Sequence, residues 1–219
     1  MQWKHIVTLV RKDILLEWRE PLQLLAMSIY LVASVFVVYL VFQSIIRPEV
    51  WIALFWITYL FGATLLAARS FQREAGGRYY YFYTLCSPME LMVAKLIFNA
   101  FIFFLLALFN WLLFTLFLGQ PLEKVTLFFG LCFLGGLGFS GVLTLINGIA
   151  VKVKNHPALS AILGFPLMLP LILVLLAASS HAMVGVDWEQ TQPYVIAAAA
   201  LAVLTNVLSV LLFPFLWKE

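Results

Sequence analysis

"LIFNAFIFFLLALFNWLLFTLFL", residues 96–118, runs for 23 residues without Asp, Glu, Lys, Arg or His. As an α-helix rising 1.5 Å per residue it reaches about 35 Å, enough to cross the roughly 30 Å hydrocarbon layer of a bilayer. As a barrel strand it would be too long, and it lacks the alternation that separates a lipid face from a lumen face. The stretch therefore reads as a membrane-spanning helix. Its two asparagines, Asn99 and Asn110, need partners from neighbouring helices, because hydrocarbon offers none.

Five more stretches of the same kind occur, and the spans are placed at about 24–46, 50–68, 96–118, 125–151, 158–180 and 194–216. Composition agrees: the 219 residues are 64% hydrophobic and 11% charged, far from the roughly 25% charged residues of soluble domains. The expected fold is an all-α integral membrane protein, a single domain over 1–219 with six transmembrane helices.

Lys and Arg are retained on the cytoplasmic side of short connections. On one side stand Lys4, Arg11, Lys12, Arg19, Arg69, Arg73, Arg78, Lys95, Lys152, Lys154 and Lys218; on the other stand only Arg47 and Lys124. The asymmetry predicts both termini in the cytoplasm, with 69–95 and 152–157 on that side. Residues 1–23 carry a charge every few positions, so no cleavable signal peptide is expected. Cys86 and Cys132 have no metal-ligand spacing and no reason to pair.

The first 20 residues read as an amphipathic interfacial helix, with Trp3, Ile6 or Val7, Val10, Ile14 and Trp18 at helical spacing, and basic residues mostly elsewhere. Pro21 ends it, and the helix is expected to brace the first span. In span 4, Gly136, Ser140, Thr144 and Gly148 recur every four residues, a stripe of small side chains for helix packing or a subunit interface. Asn147 and Asn206, like Asn99 and Asn110, are either interhelical or substrate contacts. In span 5, Pro166 and Pro170 lie one turn apart and free the carbonyls of Ile162 and Pro166, predicting a kink, a hinge or the lining of a path. The connection at 181–193 carries His181, which reads better as a polar helix end than as a metal or haem ligand.

Catalytic constellations are missing. The chain has no G-x-S-x-G, H-E-x-x-H, CxxC or G-x-x-x-x-G-K-[ST] pattern. Its spans also lack the ionisable residues by which ion-coupled carriers work. The chain is expected not to be an enzyme; active transport would draw on ATP hydrolysed by another chain. Attention then falls on the interval 69–95, the largest cytoplasmic connection, as the element an ATPase pushes. Arg73, Glu74, Gly76, Gly77, Arg78, Tyr79, Tyr80 and Tyr83 are its candidate coupling residues: Glu74 and the glycines at a hinge, the tyrosines as interface anchor and partner contact. A loop held at the membrane between two spans argues against nucleic-acid stacking by these tyrosines.

With these features the chain resembles the CcmB-type haem exporter permeases, within the wider ABC-2 class of exporter membrane subunits. In "REAGGRYYYFYTLCSPMELMVAK", Glu74, Gly76, Pro88 and Lys95 match the class pattern after span 2. "LGFSGVLTLINGIAV" in span 4 and "LSAILGFPLMLPLILVLLAAS" in span 5, with its P-L-x-x-P-L core, look like the corresponding CcmB helices. The resemblance implies a homodimeric permease of the bacterial inner membrane, working in cytochrome c biogenesis with a CcmA-like ATPase, CcmC-like and CcmD-like membrane proteins, and a CcmE-like haem chaperone. It also implies haem as cargo rather than as a resident cofactor, and no metal site. An ABC-2-type exporter of another amphipathic or lipid-like substrate, and a non-transporting membrane assembly scaffold, are the alternatives.

Overall fold

The computed structural model describes residues 3–43, 46–72, 87–152 and 157–217. Their order is α1 (Trp3–Arg19), α2 (Leu22–Phe42), α3 (Pro48–Gln72), α4 (Pro88–Leu118), α5 (Val125–Lys152), α6 (Pro157–Val184) and α7 (Trp188–Trp217). Among the described residues there is no strand. Six helices, α2 to α7, are long and apolar enough to cross a bilayer. Their outer faces show why a bilayer is required: Phe36, Val37, Leu40 and Val41 on α2, and Val203, Leu204, Val207 and Leu211 on α7, are exposed. Apolar surface of that extent is stable only when lipid or protein covers it.

Several connections are shorter than the sequence suggests. The expected interval 181–193 shrinks to Gly185–Asp187, because α6 continues to Val184 and α7 begins at Trp188. Gly185 makes the turn at φ +70, a conformation that a side chain disfavours. The interval 69–95 is helical at both ends: α3 runs on to Gln72, and α4 starts eight residues before the expected span. A capping box sets that start. Ser87 Oγ accepts from the Glu90 amide at 3.3 Å, Glu90 Oε2 accepts from the Ser87 amide at 3.2 Å, and Pro88 occupies the first turn, where its missing donor costs nothing.

The bundle is organised around α5, which packs against α3, α4, α6 and α7. Lipid tails are as apolar as leucine, so helices here associate by close packing and interhelical hydrogen bonds rather than by hydrophobic burial alone. Both devices are concentrated on α5. A column of rings from α3 (Trp51, Phe55, Trp56, Tyr59) packs on Phe114 of α4 and on Phe128 and Phe139 of α5. Trp51 and Phe55 stack at 5.6 Å, and Phe55 meets Phe128 edge-on at 5.0 Å. The Trp56 indole donates to Ser179 Oγ at 3.0 Å, which ties α3 to α6.

Candidate functional site

At the Lys95 end of the bundle, α1 lies against the first turns of α4. Ile6, Leu9, Asp13 and Glu17 share one helical face and are buried. Ile6 and Leu9 join Leu91, Met92, Ala94 and Leu96 of α4, Leu145 of α5 and Phe213 of α7 in a second hydrophobic cluster. Lys95 is only 3% exposed, and its Nζ sits 3.0 Å from Asp13 Oδ2; Lys12 Nζ sits 3.1 Å from Asp13 Oδ1. A buried charge is tolerated only when paired, so the pair fixes the register of α1 on α4. His5 Nδ1 lies 3.3 Å from Glu90 Oε2, the same oxygen that closes the capping box.

This arrangement corrects one expectation: the packing partner of α1 is mainly α4, not the span that follows it. Trp3, Val7, Ile14 and Trp18 are exposed, and the adjoining stripe that carries Asp13 and Glu17 is inside. The helix thus has three sides, one toward the bundle, one apolar and open, and one bearing Lys4, Arg11 and Arg19. Apolar periodicity alone finds the open side and misses the inward one, because Asp13 becomes a buried residue only once Lys95 is brought to it.

Arg73, Glu74, Gly76, Gly77, Arg78, Tyr79, Tyr80 and Tyr83 lie outside the described residues. What is described is the frame on either side of them: α3 to Gln72 and the capped, ion-paired start of α4 at Pro88.

The stripe on α5 faces α4 within the same chain. A Cβ on Gly136 would stand 3.3 Å from the Phe104 amide nitrogen and 3.5 Å from the Ala100 carbonyl oxygen. Ser140 Oγ donates to the Leu96 carbonyl at 2.8 Å, and Asn99 Nδ2 donates to Thr144 Oγ1 at 2.8 Å. Gly148, one turn on, is buried. Three glycines outside the stripe are packed as tightly against other helices. A Cβ on Gly138 would collide with Leu171 of α6, and one on Gly135 would stand 2.8 Å from the Trp56 ring of α3. On Gly141 it would stand 2.7 Å from Thr205 Oγ1 and 2.8 Å from the Asn206 amide nitrogen of α7. With no side chains to shield them, carbonyls of α5 take hydrogen bonds from α7: Ser209 Oγ to Gly141 O at 2.7 Å, and Asn206 Nδ2 to Leu137 O at 2.9 Å. The run "GGLGFSG" serves several faces at once, which a single i, i+4 stripe does not reveal.

The intramembrane asparagines also have protein partners. Asn110 Nδ2 donates to the Phe55 carbonyl at 3.1 Å and lies 3.2 Å from Thr58 Oγ1, joining α4 to α3; Asn147 Nδ2 donates back to Leu143 O at 2.8 Å. Pro166 and Pro170 are on the exposed side of α6, opposite the buried Met168, Leu171 and Leu175. At the other end of the bundle, His181 Nδ1 lies 3.2 Å from Thr191 Oγ1, whose proton goes to the Asp187 carbonyl at 3.1 Å, and the imidazole meets the Tyr194 ring edge-on. Among the described residues, no group of three His, Cys, Asp or Glu side chains is placed to hold a metal ion.

No curated protein and no solved structure matches the chain. Residues 4–216 match the family model described as CcmB protein. That match takes in α1, all six membrane-length helices and the interval between α3 and α4, and the chain, a multi-pass membrane protein, belongs to the CcmB family.

Proposed function

We propose that this chain is the permease subunit of an ABC complex for cytochrome c biogenesis. A separate CcmA-like subunit hydrolyses ATP, and residues 69–95 couple that hydrolysis to haem export or to release of a haem-loaded CcmE-like chaperone. Family membership carries the reading. The build of the Lys95 end supports its mechanism. A push delivered to 73–86 arrives at a helix that is capped at Ser87, clamped to α1 through Asp13 and Lys95, and packed along its length on the central helix α5. Such a helix moves as a unit, and α1 and α5 must move or repack with it.

The rest of the reading follows from charge and surface. The Lys and Arg asymmetry supports a cytoplasmic position for the Lys95 end and for both termini. The open apolar side of α1 then rests on the inner leaflet with Lys4, Arg11 and Arg19 at the headgroups. The apolar outer faces of α2 and α7 leave surface for a second copy and for CcmC-like and CcmD-like partners in the bacterial inner membrane. The decisive experiment places Glu74→Ala and Gly76→Val in membranes that contain all partners and measures ATP-dependent release of the loaded chaperone. Loss of release with ATP binding intact is expected, and unchanged release in both variants rejects the coupling role.

A further inference from the structure

α5 and α7 touch closely at Gly141 and Thr205, yet toward Lys124 they part. Between them opens a groove of about 550 Å³. Lining residues run from Lys124 to Leu134 along α5, a depth of about 15 Å at helical rise. The facing wall carries Trp188, Thr191 and Val195 of α7. Leu131, Leu134 and Val195 make the interior apolar, while Phe133 and Trp188, each about half exposed, stand as aromatic rims. Gly130 contributes no side chain, and a Cβ built there would meet nothing within 4 Å, so this position borders open space that a larger side chain would enter.

Three polar side chains border the groove, and they differ: Thr126 is an exposed hydroxyl on the first turn of α5. The Thr191 hydroxyl is already committed to the Asp187 carbonyl and the His181 ring. Lys124 Nζ donates to the Val186 carbonyl at 2.7 Å, and an ammonium has three donors. Two remain for an anionic oxygen at the mouth. The acids at this end are not in the lining: Glu123 packs against Gly185, and Asp187 and Glu189 are exposed. None of the described lining residues is His, Cys, Met or Tyr, so the groove offers no iron ligand.

We propose that this groove is a binding site for the tetrapyrrole cargo, which it holds by the apolar macrocycle and by one propionate on Lys124, without ligating the iron. The proposal rests on the haem-handling function proposed above and adds the place where this chain meets the cargo. A site that grips ring and carboxylate but not metal suits transfer, because the iron stays free for the ligands of the next carrier.

The test uses the full chain with its co-purifying subunits in nanodiscs, titrated with haemin, metal-free protoporphyrin and protoporphyrin dimethyl ester. Haemin and protoporphyrin are expected to bind with affinities within about threefold of each other, and the uncharged ester about tenfold more weakly. Lys124→Met should weaken the two acids about tenfold and leave the ester unchanged. Gly130→Leu should abolish binding of all three, with thermal stability retained because its side chain enters empty space. Haemin bound far more tightly than protoporphyrin, or Gly130→Leu binding like the parent, overturns the proposal. So does an anionic lipid that native mass spectrometry finds in the groove and that porphyrin fails to displace. Chaperone release is read in parallel. Release in the parent without Gly130-sensitive porphyrin binding rejects the groove alone; groove binding without ATP-dependent release rejects the functional reading alone.

Discussion

Replacing Asp13 with Asn should loosen α1 from α4. The carboxylate and its partner Lys95 are both buried, with side chains 7% and 4% exposed and 3.0 Å between charged atoms. Removing one member of such a pair leaves the other charge in a poor environment, at a cost of about 3–5 kcal/mol. If that cost falls on the docking of α1, the undocked population rises about 140- to 3,700-fold, at tenfold per 1.4 kcal/mol. Lys95→Met should fall at the lower end, because Lys12 stays 3.1 Å from the carboxylate. The double variant Asp13→Asn, Lys95→Met removes both charges of this pair and should recover much of the loss. A reporter cysteine at the buried Leu9, in a background with Cys86→Ser and Cys132→Ser, reads undocking as the rate of maleimide labelling in membranes. Labelling of both single variants within threefold of the parent, or a double variant as labile as the worse single one, would refute the argument that the pair holds α1 in place.

Glycine positions on α5 should diverge sharply in a detergent melt. Gly141→Ala forces a methyl against the backbone of α7 and should cost about 1–3 kcal/mol, whereas Gly130→Ala meets nothing and should be neutral or gain up to about 1 kcal/mol in helix propensity. Equal melting shifts would contradict the close α5–α7 approach. Asn110→Leu removes the donor to Phe55 O and should destabilise the α3–α4 contact by about 0.6–1.7 kcal/mol, measured by steric-trap or denaturant unfolding. An unchanged stability would mean that the bond is replaced or contributes nothing.

Much of the architecture is legible along the chain. Residues 96–118 can only be a membrane helix because their length and lack of charge leave no soluble alternative, and the same physics recurs in α2, α3, α5, α6 and α7. The start of α4 is encoded locally too, in Ser87, Pro88 and Glu90, but hydropathy alone passes over that signal and places the span from 96. The Gly136–Ser140–Thr144 spacing likewise points to a close helix contact before any partner is known.

Other features belong to the tertiary structure. Which helix lies on that stripe depends on how all six spans pack, and the answer, α4, comes with hydrogen bonds from Asn99 and Ser140 that no spacing predicts. The inward face of α1 runs against hydropathy, because Asp13 is stable inside only where Lys95, more than eighty positions away, brings the opposite charge. The groove beside Gly130 exists only because α5 and α7 meet at Gly141 and separate above it. A sequence determines on its own what each segment must escape or satisfy, water for the apolar runs and orphan amides for the helix ends. Where a polar side chain finds its partner, and where two helices leave room between them, depends on distances between segments, and only the assembled bundle sets those.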